Sequence, residues 1–307
     1  MRYFLPQGAI LFMLLLLAGC SKDDAVNNSD APVNKPASDE ISFKIDTEQV
    51  VEGRSRATTF DNLVALKEER SFKCTAYDHN TTTANATVNI NNNTVTWGGS
   101  SWNFEEGKRY WPKDEDATLD FFAYMPATVP AYITGPTYAV SAAPAPYFTC
   151  DMTKTIEKEF IWALATGKTK ENASSGVALT FYHPFARIKF KLSDASGNNV
   201  KINSISLPAI DMTGTCTFDG TTSTWSGLGG AASFSANALN TSYLVIPNDY
   251  GTKTLTVNAT WSSLSNVTKD VSANVDINWA VGTSYTYILT LSEYALKVDT
   301  DKYTEQW

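Results

Sequence analysis

The sequence predicts an all-β fold built as two tandem β-sandwich domains. Three observations predict it. From residue 41 onward, short runs alternate apolar and polar residues with a period of two, the signature of strands with one buried face. Turns rich in Asn, Gly and Ser interrupt these runs roughly every ten residues, the rhythm of a sandwich rather than of an α/β fold. Residues 1–19 read as a leader, and the 288 that follow (307 − 19) exceed one small sandwich and suit two domains.

The leader comes first. Arg2 gives it a positive start, and "GAILFMLLLLAGC" supplies an apolar run. That run is shorter than the roughly 20 residues a membrane-spanning helix needs and fits the core of a signal peptide. It ends in Leu17-Ala18-Gly19-Cys20, which resembles the bacterial lipobox. The resemblance implies cleavage before Cys20, lipidation of Cys20 and an outer-membrane anchor. Ser21-Lys22-Asp23-Asp24 resembles the surface-export signal of Bacteroidetes lipoproteins and implies an outward-facing protein. Residues 20–40 are otherwise rich in Asp, Asn, Ser, Ala and Pro and have little to bury, so they read as a disordered spacer.

The strands follow in order. In "EISFKIDTEQ", Ile41, Phe43 and Ile45 alternate with Ser42, Lys44 and Asp46, which predicts a strand with one buried face. "VVEGRSRATTF" (50–60) then carries Arg54 and Arg56 among small residues and reads as an accessible linker. "FDNLVALKEER" (60–70) alone has helical spacing. Strands are predicted at 71–78, 87–97 and 117–126, the last apolar enough to be buried on both faces. "VALTFYHPFARIKFKLSD" (177–194) predicts two strands about a kink at Pro184, with Ile188, Phe190 and Leu192 sharing a face. Further strands are predicted at 201–210, 214–220, 242–249, 254–261 and 284–292. The polar stretch 165–176 sets the domain boundary, giving 57–172 and 173–292 as the two sandwiches. In the tail, residues 293–307, Tyr294, Leu296 and Val298 alternate with Ala295, Lys297 and Asp299, a strand pattern at a free end.

Composition narrows the function. A formal charge of −8 argues against nucleic acid as a partner, because phosphate binding needs a basic patch. After Cys20 only Cys74, Cys150 and Cys216 remain, with no metal-ligand spacing. They read as buried small hydrophobes, and one disulfide plus a spare thiol is the alternative in an oxidising compartment. His79 falls in a polar turn and His183 inside a strand pair. Asp114, Glu115, Asp116 and Asp120 lack calcium-loop spacing and read as a solvated turn. Nothing selects a catalytic constellation, a metal site or a cofactor, so the chain reads as a non-enzyme. Trp97, Trp102, Tyr110 and Trp111 cluster within 15 residues. They read either as sandwich core or as a flat aromatic platform for glycans, and the platform would make the protein a monomeric glycan-binding surface lipoprotein.

Several motifs stand in a recognisable order. "GKRYWPKDEDATLDFFAYMP" (107–126) holds a Tyr-Trp-Pro turn and a Leu-x-Phe-Phe-Ala-Tyr-x-Pro strand. "VALTFYHPFARIKFKL" (177–192) holds Leu-x-Phe-x-His and Ala-Arg-x-x-Phe, and "SYTYILTLS" (284–292) is a Tyr-x-Tyr-x-x-x-Leu strand. With "SRAT" (55–58) and the lipobox, these resemble the Bacteroidetes fimbrillin family, the Mfa-like and major-fimbrillin lipoproteins. The resemblance implies two transthyretin-like β-sandwiches and a fimbrial (pilus) subunit that serves adhesion. It implies export as an outer-membrane lipoprotein and other fimbrial subunits as partners in a head-to-tail polymer. It also implies an arginine-specific or trypsin-like protease that cuts after an arginine behind the first strand, here Arg56 with Arg54 as the alternative. The strand displaced would carry Ile41, Phe43 and Ile45 (41–56 being first strand and processing loop). The donor strand entering the freed groove of a neighbour would carry Tyr294, Leu296 and Val298.

Overall fold

A computed structural model describes residues 39–46, 69–79, 85, 87–138, 146–196, 199–293 and 295–304. The described chain is all-β apart from two single 3-10 turns, Asp194–Ser196 and Ser262–Leu264. The strands are β1 (Phe43–Asp46), β2 (Ser71–Asp78), β3 (Asn93–Trp97), β4 (Trp102–Phe104), β5 (Leu119–Met125), β6 (Ile133–Tyr138), β7 (Pro146–Asp151), β8 (Ile161–Lys168), β9 (Val177–Thr180) and β10 (Ala186–Leu192). They continue as β11 (Val200–Ile210), β12 (Thr213–Phe218), β13 (Ser223–Gly229), β14 (Ala232–Ala236), β15 (Ser242–Val245), β16 (Asp249–Trp261), β17 (Val267–Asn278), β18 (Thr283–Leu291) and β19 (Leu296–Thr304).

The first sheet has seven strands in the order β8-β5-β2-β3-β4-β1-β9. Its pairs are antiparallel except β1 with β9, which run parallel. The two outer strands nearly meet. Trp162 on β8 and Tyr182, just past β9, exchange two backbone hydrogen bonds of 3.2 and 2.8 Å. The sheet therefore rolls around its own core, where Phe43, Phe72, Val95, Phe121, Ile161 and Leu179 pack together.

The outer face of β5 and β8 is buried too. Phe122, Tyr124 and Trp162 pack against Phe148, Cys216 and Phe218 of a four-stranded sheet, β13-β12-β7-β6. Trp162 stacks on Phe218 at 5.0 Å, and its indole N–H donates to Ser223 Oγ at 3.2 Å. Burial on both faces explains why β5 reads as an apolar run interrupted only by Asp120, since all seven of its residues are buried.

The remaining strands form a sandwich of two four-stranded sheets, β15-β10-β18-β19 and β14-β11-β16-β17. Ile188, Phe190, Tyr287 and Leu289 of one sheet meet Ile205, Leu207, Val257 and Ile277 of the other. The alternation read from the sequence is seen directly along β18, whose residues alternate between buried and half-buried over its whole length. The outer face of β16 and β17 carries matched polar pairs, Thr256 with Ser272 and Thr260 with Thr268, of the cross-strand kind that stabilises a solvated sheet face.

Some expected strands are shorter than the pattern implied. The run 87–97 opens with a turn, and only Asn93–Trp97 is strand. Asn89 and Asn92 take φ of 52° and 55°, a left-handed conformation that Asn tolerates and a strand does not. The run 242–249 stops at Val245 and resumes at Asp249, around Pro247, which has no N–H for a ladder. Strand β8 runs into the polar stretch 165–176 as far as Lys168. Beyond that stretch, β9 joins the seven-stranded sheet and the β12–β13 hairpin joins β7. Most of the helical pattern 60–70 lies outside the described residues.

Cys74, Cys150 and Cys216 are free thiols and all buried. Burial raises each, Cys150 to about 12. Burial likewise raises the phenols of Tyr77 and Tyr287 to about 12. Tyr138 also reaches about 12, through burial first and then the neighbouring Asp120 carboxylate. Each folded value lies above the ordinary 9.0 for a thiol or 10.0 for a phenol. The stability that goes with the neutral forms is therefore complete below the ordinary value and is lost as pH rises through the folded one. Denaturant midpoints measured from pH 8 to 12 should hold to about pH 9 and then fall, with phenolate absorbance rising together with unfolding. With Cys20 changed to serine, a thiol reagent should find no reactive group in native protein and three after denaturation.

Candidate functional site: the seat of the first strand

Strand β1 lies between β4 and β9. It pairs with β9 from Phe43↔Val177 to Asp46↔Thr180 and touches β4 at Phe43↔Trp102. The residues leading into it are held by backbone as well. The Ile41 amide donates to the Arg109 carbonyl (2.7 Å), the Trp111 amide to the Asp39 carbonyl (2.8 Å) and the Val177 amide to the Ser42 carbonyl (2.8 Å). On the solvent side Glu40 pairs with Lys108 at 2.6 Å and Asp39 with Lys170. Glu40 holds the Lys108 ammonium above its usual range, but an exposed pair of this kind contributes little to stability.

The inward face is where the energy lies. Ile41, Phe43 and Ile45 are 3, 8 and 8% exposed. The Phe43 ring meets Phe72 at 5.5 Å, Phe104 at 5.4 Å and Phe121 at 5.9 Å, each edge to face. Burial of such side chains stabilises by roughly 1.5–3 kcal/mol each, as an upper estimate. Three of them approach the stability of a whole domain, about 5–15 kcal/mol. The short segment from Ile41 to Asp46 thus holds a large share of the fold.

One residue that the sequence pattern did not single out fixes the approach. Gly176 sits at φ +103°, and a Cβ there would lie 3.2 Å from Ser42 Oγ and 3.3 Å from the Phe43 carbonyl carbon. Only glycine allows β1 to lie this close to the start of β9. Its signal in the sequence was weak, a single Gly ahead of "VALTF".

The other expected site residues fall as follows. Cys20, Arg54, Arg56 and Tyr294 lie outside the described residues. Leu296 is buried and Val298 half-buried on β19, which pairs with β18 from Leu291↔Leu296 to Thr283↔Thr304 and so completes its own sheet. The aromatic platform does not form. Trp102 and Trp111 are buried in the core of the seven-stranded sheet, and Trp97 is half-buried with its ring tilted on Trp102 at 5.4 Å. Of the four rings only Tyr110 stands in solvent. An apolar ring gains more from that core than from water, which is why clustered tryptophans turned inward.

Both histidines are paired with carboxylates. His79 Nδ1 sits 2.6 Å from Oδ1 of buried Asp120, which also accepts from the Gly167 amide at 2.7 Å. Asp120, on β5, therefore ties the turn after β2 to the end of β8 and does not join Asp114, which accepts instead from the Asp116 amide in its own turn. His183, buried, lies 2.5 Å from Oε1 of buried Glu159. Among the described residues no group of three His, Cys, Asp or Glu side chains could hold a metal ion.

Comparison with known proteins bears on this site. The profile of a fimbrillin-like family matches residues 55–307. A candidate cell-adhesion protein of Bacteroides uniformis has a similar fold, with a TM-score of 0.53 at 15% identity over 86% of this chain and 97% of its own. A second candidate cell-adhesion protein, from Bacteroides ovatus, has a TM-score of 0.53 at 18% identity over 87% of this chain and 96% of its own. No curated protein matches the sequence.

Two substitutions test the seat. Phe43→Ala should destabilise by about 3–5 kcal/mol, read from denaturant unfolding. Gly176→Ala should cost about 1–3 kcal/mol and, unlike a surface change, should make the Phe43–Asp46 segment more susceptible to limited proteolysis.

Proposed function

The chain belongs to the fimbrillin-like family, and from that premise we propose that it is a structural or accessory subunit of a surface fimbria that serves adhesion. The observation that carries the proposal is the seat of β1. An apolar strand at the start of the described chain fills a groove in the first sheet and contributes an outsized part of its stability. A strand held this way is suited to exchange for a strand of the same pattern from another subunit.

In this reading the chain is exported as a lipoprotein through Cys20 and reaches the outer membrane and the cell surface. A trypsin-like or arginine-specific protease cuts after Arg56, or after Arg54. The two transthyretin-like units of the subunit, read from the sequence as residues 57–172 and 173–292, would share strands across that boundary, since β9 belongs to the first sheet and β12 pairs with β7. Loss of β1 leaves unpaired edges on β4 and β9 and an empty apolar groove. The tail of a neighbour, residues 293–307 with Tyr294, Leu296 and Val298, then fills it by donor-strand exchange. The contact is heterologous and does not close on itself, so repetition makes a fibre. The named similarity of the two Bacteroides structures to adhesion proteins agrees with the same role. The subunit's work is mechanical and adhesive, not catalytic.

Digestion of purified chain should convert its N-terminus to Ala57, and strand-exchanged polymers that resist dilution should form only afterwards. Arg56→Gln should move the cut to Arg54 or abolish it, with a matching loss of those polymers on native gels. An intact N-terminus in fimbriae sheared from cells would overturn the processing step.

A further inference from the structure

The sandwich of β10, β11 and β14–β19 has two open sides, and they differ in chemistry. On one side β17 and β19 are the last strands of their sheets. They carry Lys269, Asp270 and Asp276, and Lys297, Asp299, Asp301 and Lys302, the charges by which natural sheets discourage edge pairing. On the other side β14 and β15 are the last strands, with sequences ASFSA and SYLV and no charge at all. Among the described residues each has one neighbour only, β11 and β10 respectively.

Between those two uncharged edges lies a groove of about 550 Å³. Its apolar lining includes Met152, Ile156, Ile210, Met212, Phe234 and Tyr243. Ser242 also lines it, and Ser242 Oγ is the one buried side-chain polar atom without a hydrogen-bond partner among the described residues. A buried hydroxyl left unpaired is costly and uncommon. Unpaired edge amides and carbonyls are complementary to another extended backbone, and an apolar groove beside them takes alternate apolar side chains. The site is built for a strand.

We propose that this groove accepts the C-terminal strand of a second copy of this chain while β1 is still in place. The inference rests on reading residues 293–307 as a donor and adds an acceptor to that reading. The occupant follows from the fold. Strand β19 ends the described chain, lies at a sheet edge and is held by one neighbour, β18. Leu296, Val298 and Thr300 share one face, while Lys297, Asp299 and Asp301 share the other. On β15 the first face enters the groove toward Phe234 and Met212, the charges stay in water, and a hydroxyl such as that of Thr300 comes within reach of Ser242 Oγ. In the uncut chain the groove of the first sheet is already filled by Ile41, Phe43 and Ile45. The β14–β15 groove is open in the same molecule, so it is where copies meet before processing.

The test uses the full chain with Arg54→Gln and Arg56→Gln, so that β1 cannot be removed. A fluorescent peptide of residues 293–307 should bind it saturably, with a Kd on the order of tens of micromolar. Ser233→Lys with Ser235→Lys, two exposed positions on the β14 edge, should weaken binding at least about tenfold, with the thermal melt unchanged. A peptide with Leu296→Asp and Val298→Asp should not bind. Absence of saturable binding overturns the proposal, as does binding indifferent to the lysines or to the aspartates. The two readings fail separately. Polymerisation of cut chain without peptide binding to uncut chain would overturn this groove and leave the donor-strand reading standing. Peptide binding without polymerisation after cutting would do the reverse.

Discussion

The first half of this protein depends on one backbone gap being filled. Strands β4 and β9 do not pair with each other; β1 lies between them and hydrogen-bonds in parallel to β9. The sheet closes elsewhere through Trp162 and Tyr182, so the β1 position is where its integrity is decided. Phe43 stands at the centre, with rings from β2, β4 and β5 around it. Gly176 removes the side chain that would hold β1 away. The ion pairs of Glu40 and Asp39 decorate the rim, but the apolar face carries the stabilisation.

From that gap a single stretch of chain leads into the rest of the molecule. Residues 177–192 begin as β1's partner, pass Tyr182 and His183, and end as β10 inside the sandwich. At the passage the Trp225 indole donates to the Pro184 carbonyl at 2.7 Å, and Arg187 Nε donates to Ser284 Oγ at 2.7 Å on β18. The buried Glu159–His183 pair lies in the same place. Buried polar groups so fully engaged specify one arrangement of neighbouring strands more than they add to stability. The strand partnered by β1 is thereby continuous with the sheet that carries β19.

Edge chemistry gives the sandwich a direction. One side of it is charged along both terminal strands, and on the other the terminal strands are uncharged and border a groove whose lining is largely apolar but includes Lys154 and Asp211. Unlike opposite sides are compatible with a heterologous contact, in which one patch meets a different patch on the next copy. That polarity is a property of which strands the topology leaves at the edges, and it agrees with membership of a family of fimbrial proteins.

Much of this was legible in the sequence, and the rest was not, for definite reasons. Period-two alternation in Ile41–Ile45, in 186–192 and in 283–291 marked strands and their buried faces correctly, because a pleated strand sends successive side chains to opposite sides whatever its partners are. The run of β5, apolar but for Asp120, marked burial on both faces for the same reason. The motif order pointed to the family. Strands β4, β6, β7, β8, β13, β14 and β17 went unread; in β17, seven of the twelve residues are polar and resemble a loop when the opposing strand is unknown. The inward turn of Trp102 and Trp111 could not be read either, since a ring that stacks on a ligand and one that packs in a core have the same local sequence. Gly176 gained its meaning only when β1 was seen against it. The sequence alone determined that the described chain is built of strands and which side of each clear strand faces inward, because both are set by local stereochemistry. Tertiary structure alone decided which strands became edges, which gap β1 fills and where a groove stays open beside uncharged edges, because these depend on pairings between residues far apart in the chain.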